Sequence, residues 1–387
     1  MFTLFIVPCI SVSPPVQSRC RDWLNRLFGA NSAILYAASA IALGGVFVPN
    51  GIRAECIVET GGNNAGTVYS VRVSASCTEA EREARAIPAE DLLRLLASGK
   101  GIDLTGVVID GDVLLDELPV QKLAAVKDLS REDWKALEGL PDEMVRVIRG
   151  PFAIKNARVR GRIVNRLKQG FLVITGPMVF TTTHIEGSFD LSRTVFLSSV
   201  DGSGAAFEEQ SYFTQARFTQ GAQFSGTHFG PHTRFHRSVF NGPAIFRGAL
   251  FKGLAEFLEV VFEQDANFSH ASFLMGTGFS GAHCRAKCDF FSAHFNREAF
   301  FLFALFDRPV SFSSARFDSQ ADFSDASFKE RDDLAEAVFV QPPLLTRTMR
   351  ITAMAPGRAE GSLGSQILTV ALILMALVLL VYIVRTK

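Results

Sequence analysis

The sequence predicts an all-β solenoid, a chain that turns a corner every five or six residues and stacks coil upon coil. Three observations carry that prediction. From residue 202 the chain divides into thirteen eleven-residue units without an insertion. Position 1 of the unit is Phe in eleven of the thirteen, with Gly202 and Leu334 at the ends, and position 6 is Phe in twelve, with Cys284 the exception. Position 4 is Ala, Ser, Thr or Val throughout. Self-similarity at a fixed short period marks units that bury their apolar side only by stacking on their neighbours.

The simpler elements do not fit this period. Five residues advance an α-helix by about 500°, so the two Phe of a unit would lie roughly 140° apart. The Gly and Pro of "FGPHTRF" and "FNGPAIF" would also fall inside such a helix. A plain strand fails because the Phe spacing alternates between odd and even. What remains is a coil whose sides each point one small residue and one Phe inward. Sides of five and six residues stack on their own kind only when a coil has an even number of them. Two sides cannot enclose Phe rings, so four sides are predicted, one coil taking two units.

The pattern resembles the pentapeptide-repeat family, most clearly in "ANFSHASF" (266–273) and "ADFSDASF" (321–328), over roughly 180–340. The resemblance implies a right-handed four-sided parallel β-helix. The chain departs from that family by a sixth residue in every second unit.

The rest of the chain is organised around this array. Residues 1–54 read as a signal peptide or N-terminal membrane segment: arginines 19, 21 and 26 precede the apolar run 33–48, and small Ala54 follows. Residues 55–100 read as an N-terminal hairpin and helix cap, with Cys56 and Cys77 flanking the hairpin as a candidate disulfide in an oxidising compartment. Residues 101–200 read as irregular β-helix with a helical insertion that starts at Ser130. The helices are expected to cover the open end of the solenoid. After the array (201–340) come a tether (341–366) and a C-terminal transmembrane helix (367–384), eighteen apolar residues that would span about 27 Å.

Charge excludes some functions. The 39 basic and 39 acidic residues give no whole-chain bias toward nucleic acid. Within the array, bases such as Arg217, Arg237 and Arg285 lie among the acids, which argues against imitation of DNA, a role some pentapeptide-repeat proteins play. No motif for a cofactor or a nucleophile is present. "HCRAKCDFFSAH" places His283, Cys284, Cys288 and His294 close in sequence. Register turns the cysteines inward as free core thiols and the histidines outward on different sides, so no metal site is expected. Position 7 at every second unit reads Glu263, Arg285, Asp307, Lys329, a ladder of alternating charge that supports stacking. Were those acids unpaired, they would support the alternative of a carbohydrate-active β-helix enzyme.

One outward stretch stands out. In "EAFFLFALFD", Phe300, Leu302, Phe303 and Leu305 occupy positions that are polar or small elsewhere. Such a patch is a candidate contact for a protein partner. The sequence therefore predicts a non-enzymatic scaffold, exported and held to the membrane by its C-terminal helix. A cytoplasmic tail-anchored adaptor is a further alternative.

Overall fold

A computed structural model describes residues 55–63, 65–140 and 144–350. They form a right-handed parallel β-solenoid of about 12 turns. Its four faces carry eleven, eleven, nine and eleven strands. We number the faces in the order the chain meets them, so that Ala222–Gln223 lies on the first, Ala206–Phe207 on the second, Ser211–Tyr212 on the third and Arg217–Phe218 on the fourth.

The register advances 22 residues per coil. Thus Phe207 is followed on the second face by Phe229, Phe251, Phe273, Phe295 and Phe317 at 22-residue steps, and Phe251 pairs directly with Phe273. On the fourth face Cys284 lies between Phe262 and Phe306. Inside, each Phe stacks on its own kind: Phe257 lies 5.0 Å from Phe235 and 4.8 Å from Phe279, at 6° and 2° between planes. Neighbouring columns meet edge to face, as Phe257 does with Phe268 at 5.2 Å and 86°. Both arrangements suit the ring quadrupole, and the small residue at position 4 or 10 makes room for them.

The five-residue side turns on a left-handed residue. The amide of position 4 donates to the carbonyl of position 1, as Ala216 does to Phe213 at 3.1 Å and Ala326 to Phe323 at 3.0 Å. Position 3 then has positive φ, the pattern of a type II turn: Gln215 (57°), Glu259 (53°), His270 (58°) and Asp325 (59°) all show it. The six-residue side has room to turn without that conformation. This difference is the physical content of the alternating unit length.

The first coils are less regular. Ile102 pairs with Phe152, fifty residues on, and Phe152 with Met178; from Leu172–Thr194 and Met178–Val200 onward the step is 22. Before them, β1 (Val58–Gly62) and β2 (Val68–Val73) form an antiparallel hairpin, and Cys56 is bonded to Cys77 beside it (S–S 2.11 Å). Thr78 starts the short helix α1 (Glu79–Glu83) with a capping box, its hydroxyl accepting from the Glu81 amide. Helix α2 (Ala89–Ala97) buries Leu92 and Leu96 in the same cluster as the interior of the solenoid.

Helix α3 (Arg131–Leu137) corrects the expectation that the helices lie over the open end. Ser130 starts it with a capping box to Asp133. Its Leu137, with Val126, packs on Val145, Val147, Phe171, Val173, Val195 and Leu197. Those side chains face outward from the early coils of the fourth face, so α3 covers a wall of the tube and makes a second core outside it. The apolar run Phe171–Ile174, buried throughout, is what a strand covered on both sides requires.

A second correction concerns the far end. Residues 341–350 belong to the coil and not to a tether: Leu344 bridges to Asp322, and Met349–Arg350 pairs with Ser327–Phe328. No helix among the described residues is long and apolar enough to cross a membrane. The runs 33–48 and 367–384 lie outside the described residues.

Because every interior ring is held on four sides, truncating one leaves a cavity that the rigid ladder cannot close. Phe257→Ala is expected to cost about 3–5 kcal/mol, measured as a lower denaturant midpoint against wild type.

Candidate functional site

The outward apolar residues of 298–307 fall on two faces. Phe300 extends from the third face and is 40% exposed; Leu302 is half-buried; Phe303 occupies the corner at 60% exposure. Leu305, by contrast, is half-buried on the fourth face between His283 and Ser327. The structure thus joins Phe300, Leu302 and Phe303 and leaves Leu305 around the corner.

Residues from earlier coils complete the patch. Phe300 pairs with Gly278, over which Leu258 leans so closely that a Cβ there would sit 2.9 Å from its Cδ2. Gly276 lies beneath Leu254, itself exposed, with its Cβ position 3.5 Å from the Leu254 Cδ1, and Met275 precedes it at the corner. The patch is therefore a shallow apolar step spanning three coils, from Leu254 to Phe303. Leu254 and Leu258 were not evident from the sequence because the signal lies between columns: Leu258, in the neighbouring column, leans over Gly278.

Phe303 also takes the left-handed corner conformation that position 3 adopts along the array. Its φ is 56°, at the corner position that Glu259, Gly281 and Asp325 fill on other coils. For a bulky residue this conformation is disfavoured by about 1–2 kcal/mol. Elsewhere the same column holds ion pairs, Arg237 with Glu259 at 2.9 Å and Arg347 with Asp325 at 2.5 Å. An exposed aromatic side chain on a strained corner is retained here against both its solvation and its backbone preference.

The other chemistry-bearing residues are engaged with one another. The expected ladder closes in two pairs, Arg285 with Glu263 at 2.9 Å and Lys329 with Asp307 at 2.8 Å. Arg285 stands between the two acids, which separates them chemically. Diagonal contacts that the sequence reading missed add histidines to the acids: His232 lies 2.8 Å from Glu256, His283 2.8 Å from Asp307, and His294 2.6 Å from Asp318. Each joins an outward residue to an acid twenty-four further on, a spacing visible only once the coil length is known. Hydrogen bonding from Lys329, reinforced by His283, holds Asp307 below the usual carboxylate range. Burial pushes Glu256 up, but Arg234 and His232 together bring it below its ordinary value.

Cys284 and Cys288 are buried as expected yet bonded to each other (S–S 2.03 Å), which corrects the reading of free thiols. The bond crosses the corner from the fourth face to the first, filling space that a ring occupies on other coils. With the sulfurs joined and His283 and His294 on different faces, these four residues do not converge on a metal. A groove of about 680 Å³ runs between α3 and the fourth face, lined by Ser130, Asp133, Lys135, Thr175, Arg217 and Asn241. Its central cation is occupied: Arg217 donates to the carbonyls of Ala136 and Glu138 at the end of α3, and burial lowers its pKa.

Comparison with known proteins agrees with this register. Residues 191–239, 235–283 and 246–293 match the family model for pentapeptide repeats, in nine copies, and this stretch is a pentapeptide-repeat array. No curated protein and no solved structure matches the chain.

Two outcomes are expected from this geometry. Replacing Phe303 by Gly relieves the corner, so F303G is expected to be about 1 kcal/mol more stable than wild type in denaturant unfolding. The depressed acids contribute stability above their unfolded pKa, near 4, and lose it as pH falls through their folded values. The thermal midpoint is accordingly expected to be level from about pH 7 to 5 and to fall below about pH 4, with a shallower fall in Asp307→Asn.

Proposed function

We propose that this protein is a membrane-anchored, exported scaffold whose apolar step at Phe300, Leu302 and Phe303 binds a protein partner. The observation that carries this reading is Phe303, an exposed aromatic residue on a corner that disfavours it. The corner conformation belongs to the turn; what is particular to this coil is an exposed aromatic side chain where the other corners of the array carry glycine or a polar residue, which favours contact with a partner. Partner contact through exposed aromatic side chains also fits the energetics of interfaces, where a few large side chains dominate.

Export is supported by the cysteines. All four among the described residues are joined in disulfides, Cys56–Cys77 and Cys284–Cys288, which persist in oxidising compartments. The basic-flanked apolar run 33–48 agrees with that compartment, and the charge-free run 367–384 supplies the anchor. A non-enzymatic role is favoured by the pairing of Glu263 and Asp307 with bases, since acid catalysis on a glycan needs carboxylates free to converge on it. The interleaved charges of the array argue against a nucleic-acid partner.

The test uses membranes from cells expressing the full chain. Protease added outside spheroplasts is expected to digest the solenoid, and a chain ending at Arg350 is expected to leave the membrane fraction. A photo-crosslinking residue at position 303 is expected to give one adduct of defined mass, lost in Phe300→Asp while the circular dichroism is unchanged. Protection of the solenoid from outside protease would refute export, and crosslinking equal to that from an exposed control position would refute the binding step.

A further inference from the structure

We infer that the last coil of the solenoid rests end-on in the interfacial layer of a lipid bilayer. This rests on the membrane-anchored reading above and adds where the solenoid meets the lipid. Exposed apolar side chains gather at one level, residues 338–349, and not along one face. Val338 and Val340 (57% exposed) point outward from the second face, Leu344 from the third and Met349 (63% exposed) from the fourth. Leu345, in the inward column below Phe323, is exposed at the end of the tube.

A partner protein docking on a wall would select apolar residues down one column of successive coils, as at Leu254–Phe303. A planar apolar phase lying across the axis selects them around the rim of a single coil, which is the arrangement seen here. At this level Asp332 and Asp333 on the first face are already engaged, and the polar residues between the apolar ones, Glu336, Gln341 and Arg347, stand toward the corners, Arg347 paired with Asp325. Arg350 takes the slot that Phe306 and Phe328 fill above it and donates to the almost fully buried Asp332 carboxylate, its Nε at 2.9 Å. This ion pair closes the mouth of the tube with charge that belongs at a wet boundary and not in hydrocarbon. Asp333 is likewise engaged, accepting from Ser311 at 2.7 Å.

The chain beyond Arg350 sets the distance. Sixteen residues, 351–366, separate it from the apolar run, a length of chain that spans at most roughly 55 Å. The solenoid, at about 12 turns, is roughly 58 Å long. So the end that carries the rim is the end held near the bilayer. The depth is limited by the backbone: an open strand edge cannot enter the hydrocarbon, where its amides would lack partners. One coil is about 4.8 Å thick, which matches the depth of roughly 5–10 Å at which amphipathic surfaces lie at the headgroup boundary.

The experiment places a single tryptophan at Val340 or Leu344 in the full chain, with Trp23 and Trp134 replaced by Phe, and reconstitutes it in phosphatidylcholine vesicles. Leu254→Trp, about four coils from the end, is the control. Lipids brominated near the top of the acyl chains are expected to lower the Val340→Trp and Leu344→Trp emission by roughly half while leaving Leu254→Trp unchanged. If the protein floats with the vesicles but neither rim position is quenched, the rim is covered by residues 351–366 or by a second copy, and the inference is overturned while the anchor stands. If the protein does not float with the vesicles at all, the anchor reading fails and this one with it.

Discussion

The repeat array depends on one constraint: a residue must fit directly above and below the residues twenty-two positions away. The backbone ladder imposes it, because each strand pairs with the same strand of the next coil. The phenylalanine columns repay it, because rings stack at 4.4–5.5 Å along a column and are met edge-on by the next column. A residue that breaks the column must replace what it removes. Cys284 does so by bonding to Cys288, and Arg350 does so by ending the column with an ion pair.

With the inside held uniform, differences between coils are confined to the outside, and it is there that function has to be sought. The outward columns divide into regions of distinct chemistry. The fourth face is apolar where α3 covers it and charged farther along, where Glu263, Arg285, Asp307 and Lys329 alternate. The third face carries the apolar step at Phe300, and the last coil carries a rim. A rod of this kind offers a set of addresses at fixed heights and directions.

Much of this was legible in the residues. The Phe positions and the alternation of five and six were enough to derive four sides, the coil length and the neighbours of Cys284. The helix start at Ser130 was legible because a capping box is written within four residues. What escaped was of two kinds. The left-handed corner is invisible as a motif, because position 3 holds Gln215, Glu259, His270 and Phe303 alike: the turn constrains the backbone and asks only that the side chain tolerate it. The seat of α3 was missed because its evidence lies in the strands it covers. The run Met144–Ile148 is apolar except at Arg146 and Phe171–Ile174 is apolar throughout, and that excess had no place in a wall with one wet side. The histidine–acid diagonals and the disulfide across the corner are contacts between sides, and a column-by-column reading does not reach them.

The alternating unit has a consequence for how such a chain can lengthen or shorten in evolution. Loss of a single unit would leave the interior unchanged, since all four columns accept Phe, yet it would turn everything beyond the break by half a revolution. The Phe303 corner would then look away from the side on which α3 sits. Loss or gain of two units would keep all directions and alter only the height between them. The core is indifferent to that choice; the surface is not. Relatives that share a ligand should therefore differ in length by whole coils, and a half-coil difference would mark a change in what the rod presents to its surroundings.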